Sequence, residues 1–254
     1  MLDITGGDPS FRNDEGSAHP GVTAALVDFA AGQGTEHAVM TALAGSRLLV
    51  PVVAVLADQL EPAQHGSAES AGPAAARSAI QSEKATEMAM PTLIGVDGRR
   101  AVPAFTSLDS MSRWQSQARP VPVTALAVWQ SACADSSAVV IDVAGPVPFA
   151  VEGARLAALA RGEAAPRLFA DPDVQEIVAA VLASQLDVAS FELQHDDGRH
   201  DLAIVALLTP QAAADRERDF AKLGAEIADA VMARLGGRLR RGVAIWLGSH
   251  PDAS

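Results

Sequence analysis

Residues 87–114, EMAMPTLIGVDGRRAVPAFTSLDSMSRW, hold two apolar runs broken by Asp97-Gly98 and followed by a capped helical segment. Asp-Gly suits a tight type I′ turn, because glycine takes positive φ without penalty and aspartate tolerates it better than most residues. With Asp97 and Gly98 as the two loop residues, Val96 faces Arg99, Ile94 faces Ala101 and Leu93 faces Val102. Both faces of that hairpin are apolar, so both are expected to be covered. Pro91 and Pro103 then fall one step apart on paired strands and weaken the ladder at the end remote from the turn. From that end the chain leaves through Phe105, Thr106, Ser107 and Asp109, where a Ser or Thr hydroxyl caps a helix carrying Leu108, Met111 and Trp114.

Working outward, residues 1–21 are rich in Gly, Asp, Ser and Pro and read as a flexible tail. Thr35 caps a helix through Leu43, and 47–56, RLLVPVVAVL, is an apolar strand whose Pro51 places it at an edge or a bulge. Residues 57–85 form a long low-complexity loop, and ARPVPV at 118–123 reads as an extended connector. A helix at 124–133, a strand at 138–143, a Gly145-Pro146 turn, a short strand at Phe149 and a helix through Ala160 complete this block, 22–162. After a linker at 163–170, Asp171-Pro172 starts a helix, and the second block, 171–254, runs α-β-β-α-β. The fold class is α+β: two small domains, each a mostly antiparallel or mixed sheet with packed helices.

The motifs AVPAFTS (101–107), the helix at 108–114, ARPVPV (118–123) and IDVAGPVPFAVEG (141–153) together resemble proteins of the actinobacterial SseB family. The resemblance covers roughly 38–162, and the remainder is similar to the family's smaller C-terminal domain. It implies this fold and brings no catalytic residues with it.

Composition narrows the function classes. Hydrophobic residues are 49% of the chain but aromatics only 4%, with no Tyr, so few rings remain for stacking bases. A net charge of −12, from 19 basic and 31 acidic residues, repels phosphate backbones and anionic membranes, so neither nucleic acid nor membrane is an expected partner. Cys133 stands alone, which excludes an internal disulfide and a cysteine-rich zinc site within one chain and fits a reducing, cytoplasmic setting. Its place near a helix C-terminus disfavours thiolate, so it reads as a buried or inert thiol.

GxSxG, HExxH and a phosphate-binding Gly-Lys loop are all missing. His195 and His200 face each other if Asp197-Gly198 is a two-residue turn, yet the pattern equally describes a solvated hairpin tip, and no metal and no cofactor are expected. Arginines 234, 238, 240 and 241 are read as neutralising a helix C-terminus, with an anionic ligand as the alternative. The candidate binding residues are Phe105 as an aromatic anchor, Thr106, Ser107 and Asp109 at a strand-to-helix junction, and Asp142 if the two strands are neighbours. The expectation is a non-enzymatic protein-binding or regulatory module, with a protein partner or a second copy. A small-molecule hydrolase or transferase, or a structural self-associating subunit, are the alternatives.

Overall fold

The computed structural model describes residues 11, 14–56, 86–135, 137–185, 187–196, 198–215 and 219–249. The loop expected at 57–85 and Asp197 lie outside them. The fold is α+β, with helices packed on three small antiparallel or mixed sheets.

Helix α1 (Pro20–Ala30) opens on a proline, where a missing N–H costs nothing, and buries Val22, Leu26 and Phe29 along one stripe. Helix α2 (Glu36–Ala44) takes its cap from Thr35, whose hydroxyl accepts from Ala38 N–H. Within the expected tail, 1–21, the part from Asp14 on is fastened: Arg47 pairs with Asp14 and donates to Ser17 O at 2.7 Å, and Leu108 N–H donates to Gly16 O at 2.8 Å.

Strand β1 (Arg47–Leu56) lies between β2 (Thr86–Ala89) and β5 (Arg119–Thr124), antiparallel to both. Two expectations are corrected here: Pro51 does not put β1 at an edge, and 118–123 is largely a strand. The reason is parity. Leu49 donates its N–H to Phe105 O at 2.8 Å and its own O accepts the Phe105 N–H at 2.9 Å, so the alternate residues Leu48 and Val50 bond β5. Pro51 then faces Pro120, and Leu49 faces Pro122, at positions where the ladder to β5 asks for no donor.

The second sheet has the order β3-β4-β6-β7, from β3 (Leu93–Ile94), β4 (Arg100–Ala104), β6 (Ala138–Ile141) and β7 (Phe149–Val151). The β3-β4 register is one residue off the expected one, with Leu93 opposite Ala101 and Ile94 opposite Arg100. Gly98 N–H donates to Gly95 O and Gly95 N–H to Arg99 O, so the loop holds three residues, with Gly98 at φ 79° as the bulge. The tip is uncovered, with Ile94 74% exposed and Val96 fully so. Strand β4 pairs with β6 on its other side, Pro103 opposite Val140, so no frayed edge opens there.

Helices α3 (Leu108–Trp114), α4 (Ala125–Ala134) and α5 (Gly153–Ala160) complete this block. Its main core gathers Phe29, Met40, Leu48, Trp129 and Ile141, and a small satellite holds Leu49, Phe105, Met111 and Ala118. Full burial of such a Leu, Ile, Phe or Met contributes about 1.5–3 kcal/mol. The stretch expected as a linker is packed: Ala165 belongs to the first core, and the 3-10 turn Leu168–Ala170 sets Leu168 and Phe169 against the second.

The second block runs α6 (Pro172–Leu182), β8 (Val188–Gln194), β9 (Leu202–Leu208), α7 (Pro210–Ala214), α8 (Phe220–Leu235) and β10 (Val243–Ser249). Its sheet has the order β10-β9-β8, with β10 parallel to β9, so α8 serves as the crossover. Val174, Val178 and Val181 of α6 and Ile227 and Val231 of α8 meet Ile204 in its core.

Candidate functional site

Strands β4 and β6 run parallel, and just past their carboxyl ends the chain places Thr106 and Asp142 together. Asp142 Oδ1 accepts from Thr106 N–H at 2.9 Å and Asp142 Oδ2 from the Thr106 hydroxyl at 2.6 Å, with both residues buried. Asp142 adopts φ 48°, the one positive value at a non-glycine position among the described residues, and its own N–H bonds Ala104 O. That turn aims the carboxylate at Thr106. Ser107, and not Thr106, caps α3, accepting from Ser110 N–H at 3.1 Å. Asp109 lies in the first turn of α3 and pairs with Arg113 at 2.7 Å.

A cavity of about 180 Å³ is lined by Thr106, Ser107, Asp109 and Asp142 together with Arg113 and the apolar side chains of α1. Open sheets with parallel strands bind ligands outside the strands' carboxyl ends, and this cavity occupies that position. Phe105 is not part of it. Its ring is fully buried in the small cluster with Leu49, Met111 and Ala118, 5.5 Å from the Trp114 ring at a tilt of 34°, so it offers no aromatic anchor.

The histidine pair is also drawn apart from the expected geometry. With Gln194 opposite Ala203, the register does not set His195 against His200. His195 lies against Phe169, and His200 contacts Asp196 at 3.2 Å. No group of three or more His, Cys, Asp or Glu able to hold a metal occurs among the described residues. Cys133 is exposed.

A charged network that sequence reasoning missed lies between the two blocks. Glu36 (α2), Arg155 (α5) and Asp171 are at most 3% exposed, and Arg238, after α8, joins them. Arg155 donates to Glu36 at 2.5 Å; Arg238 donates to Glu36 at 2.9 and 2.8 Å and to Asp171 at 2.5 Å. Burial pushes the Arg155 guanidinium below its ordinary value. Burial works the same way on Arg238, but there the bonds to Glu36 and Asp171 outweigh it and raise the group. The signal for this network was an arginine on an apolar stripe: Arg155 stands one turn before Leu159, and both are buried. Three arginines of the basic stretch are thus engaged in packing, since beside Arg238 in this network Arg241 bonds Asp201 at 3.0 Å and Arg240 covers the Phe29 ring at 4.6 Å.

The model of the SseB protein N-terminal domain matches residues 22–158, more than half of the chain. The chain belongs to the SseB family. The matched SseB segment carries Thr106, Asp142 and Arg155 and ends inside α5, so the second block lies beyond it. No curated protein and no solved structure matches the chain. Among the described residues, no helix is long and apolar enough to cross a membrane.

Proposed function

We propose that this SseB-family chain is a non-enzymatic binding or regulatory module whose recognition site is the cavity beyond β4 and β6. One observation carries the reading: both carboxylates of the cavity are already engaged, Asp142 by the Thr106 N–H and hydroxyl and Asp109 by Arg113. A general base must be free to take a substrate proton, whereas a fully engaged carboxylate braces a wall. What remains is a polar rim over an apolar floor, suited to a polar chain end of a protein partner. We take 22–162 as the family's N-terminal domain and 171–254 as its smaller C-terminal domain. The lone cysteine supports a cytoplasmic setting.

The enzymatic alternative draws on the 2.6 Å contact, which would make Thr106 the nucleophile of a hydrolase or transferase and Asp142 its base. The 6% exposure of Thr106 weighs against it.

Asp109 and Arg113 are exposed, so replacing both by alanine leaves folding nearly unaffected and changes only the rim. Affinity capture from native cytoplasm is expected to lose its stoichiometric protein partner with that double variant at unchanged Tm. Retention of the partner removes this cavity as the site. Recovery of a turned-over metabolite in place of a protein favours the enzyme.

A further inference from the structure

A second cavity, of about 410 Å³, opens between the two blocks and shares no lining residue with the first. Its size is that of a small-ligand pocket. Glu36, Arg155 and Arg238 form one part of its wall, and Phe149, Ile177 and Leu235 supply apolar surface.

Counting the charges of the wall shows what it lacks. Glu36 is held by two guanidiniums. Asp173 accepts the Ala154 N–H at 2.7 Å and so sits on the open end of α5, and Glu152 accepts from Arg99 at 2.6 Å. The acidic groups are therefore committed to partners in the protein. The three basic groups of the wall, Arg155, Arg234 and Arg238, equal the acidic ones in number but are not all committed: Arg155 Nε is buried without a hydrogen-bond acceptor, 4.0 Å from Asp171, and Arg234, in the last turn of α8, makes no ion pair or hydrogen bond among the described residues. Arg234 is exposed and lines the cavity, which leaves a cation beside an apolar wall.

We propose that this cavity binds a small monocarboxylate with an apolar body, its carboxylate on Arg234 and its body against Phe149, Ile177 and Leu235. A guanidinium matches a carboxylate in shape and offers paired N–H donors. Inorganic phosphate, with up to two negative charges, meets Glu36, Glu152 and Asp173 in the same wall, so the single charge is preferred. Because the lining comes from both blocks, the ligand ties them together.

The test titrates the full chain with benzoate and with 4-methylpentanoate, following Tm and isothermal heat, with inorganic phosphate and sodium chloride at equal ionic strength as comparators. The expected result is a Tm that rises with carboxylate concentration and does not rise with phosphate or chloride. Arg234→Ala, at an exposed position, should keep the circular dichroism spectrum of the parent and weaken carboxylate binding about tenfold or more. Absence of binding by both carboxylates, equal binding by phosphate, or undiminished binding in folded Arg234→Ala would each overturn the proposal. Asp109→Ala with Arg113→Ala should leave carboxylate binding intact, which separates this site from the first cavity.

Discussion

Arg238 grips Glu36 across 202 positions of sequence, donating Nε–H to Oε1 at 2.9 Å and Nη2–H to Oε2 at 2.8 Å. The same guanidinium reaches Asp171, so the chain after α8 is pinned both to α2 and to the start of α6.

Removing one partner of such a network strands the others without water. Glu36→Gln leaves Arg155 and Arg238 without their shared charge and is expected to lower unfolding stability by about 3–5 kcal/mol in urea. The exposed pair of Arg161 and Glu163 supplies the control, because Glu163→Gln should leave the midpoint where it is. Equal midpoints for the two variants would remove the buried network from the account of stability.

Thr106→Val keeps the shape of the side chain and deletes the hydroxyl that satisfies Asp142. The buried carboxylate then retains one donor from Thr106, its N–H, and the expected loss is about 1–3 kcal/mol. Ser107→Ala removes the α3 cap instead, for about 1 kcal/mol. Chemical denaturation of both single variants checks the division of labour between the two hydroxyls.

Gly153 has φ 60°, and a Cβ placed there would lie 2.0 Å from Asp173 Oδ2. Gly153→Ala therefore meets two penalties, about 1–2 kcal/mol for the left-handed backbone and about 1 kcal/mol for the displaced cap. The expected readout is a lower Tm together with faster amide exchange at Ala154, whose N–H loses its acceptor. A neutral substitution would show that Asp173 does not cap α5.

At the hairpin tip, the hydrogen bond from the Arg99 side chain, with help from the Arg99 N–H, holds the Asp97 carboxyl below its ordinary value of 3.8. A lowered carboxyl stabilises the folded state when ionised. The effect is complete above 3.8 and is lost as the pH falls through the lower folded value. A carboxyl NMR titration should place Asp97 below 3.8, and Arg99→Ala should return it upward.

Features set by neighbours along the chain were legible from sequence. The strand at Arg47–Leu56 and the caps from Thr35 and Asp171 depend on local pattern and side-chain reach, and they stand where the pattern put them. Asp97-Gly98 was legible as a turn, but the same dipeptide serves a two-residue loop and a three-residue loop with a bulge, so the register slipped by one. Thr106 and Asp142 met because each ends an apolar strand, and those strands are neighbours. Phe105 was misread because the cluster that buries it is closed by Leu49, far away in sequence, which pairs with it across an isolated bridge. The grouping of Glu36, Arg155, Asp171 and Arg238 has no local signature beyond a charge on a buried stripe, since it forms only when the two blocks meet.

Pro120 and Pro122 bear on whether copies of this chain can join strand to strand. Strand β5 is the outer member of its sheet, and its pairing parity turns the nitrogens of both prolines away from β1. An incoming strand would find no N–H at either place, and two missing donors within three residues defeat a continuous new ladder. Self-association by extending this sheet is barred at that rim, even though β5 lies open in the sheet order.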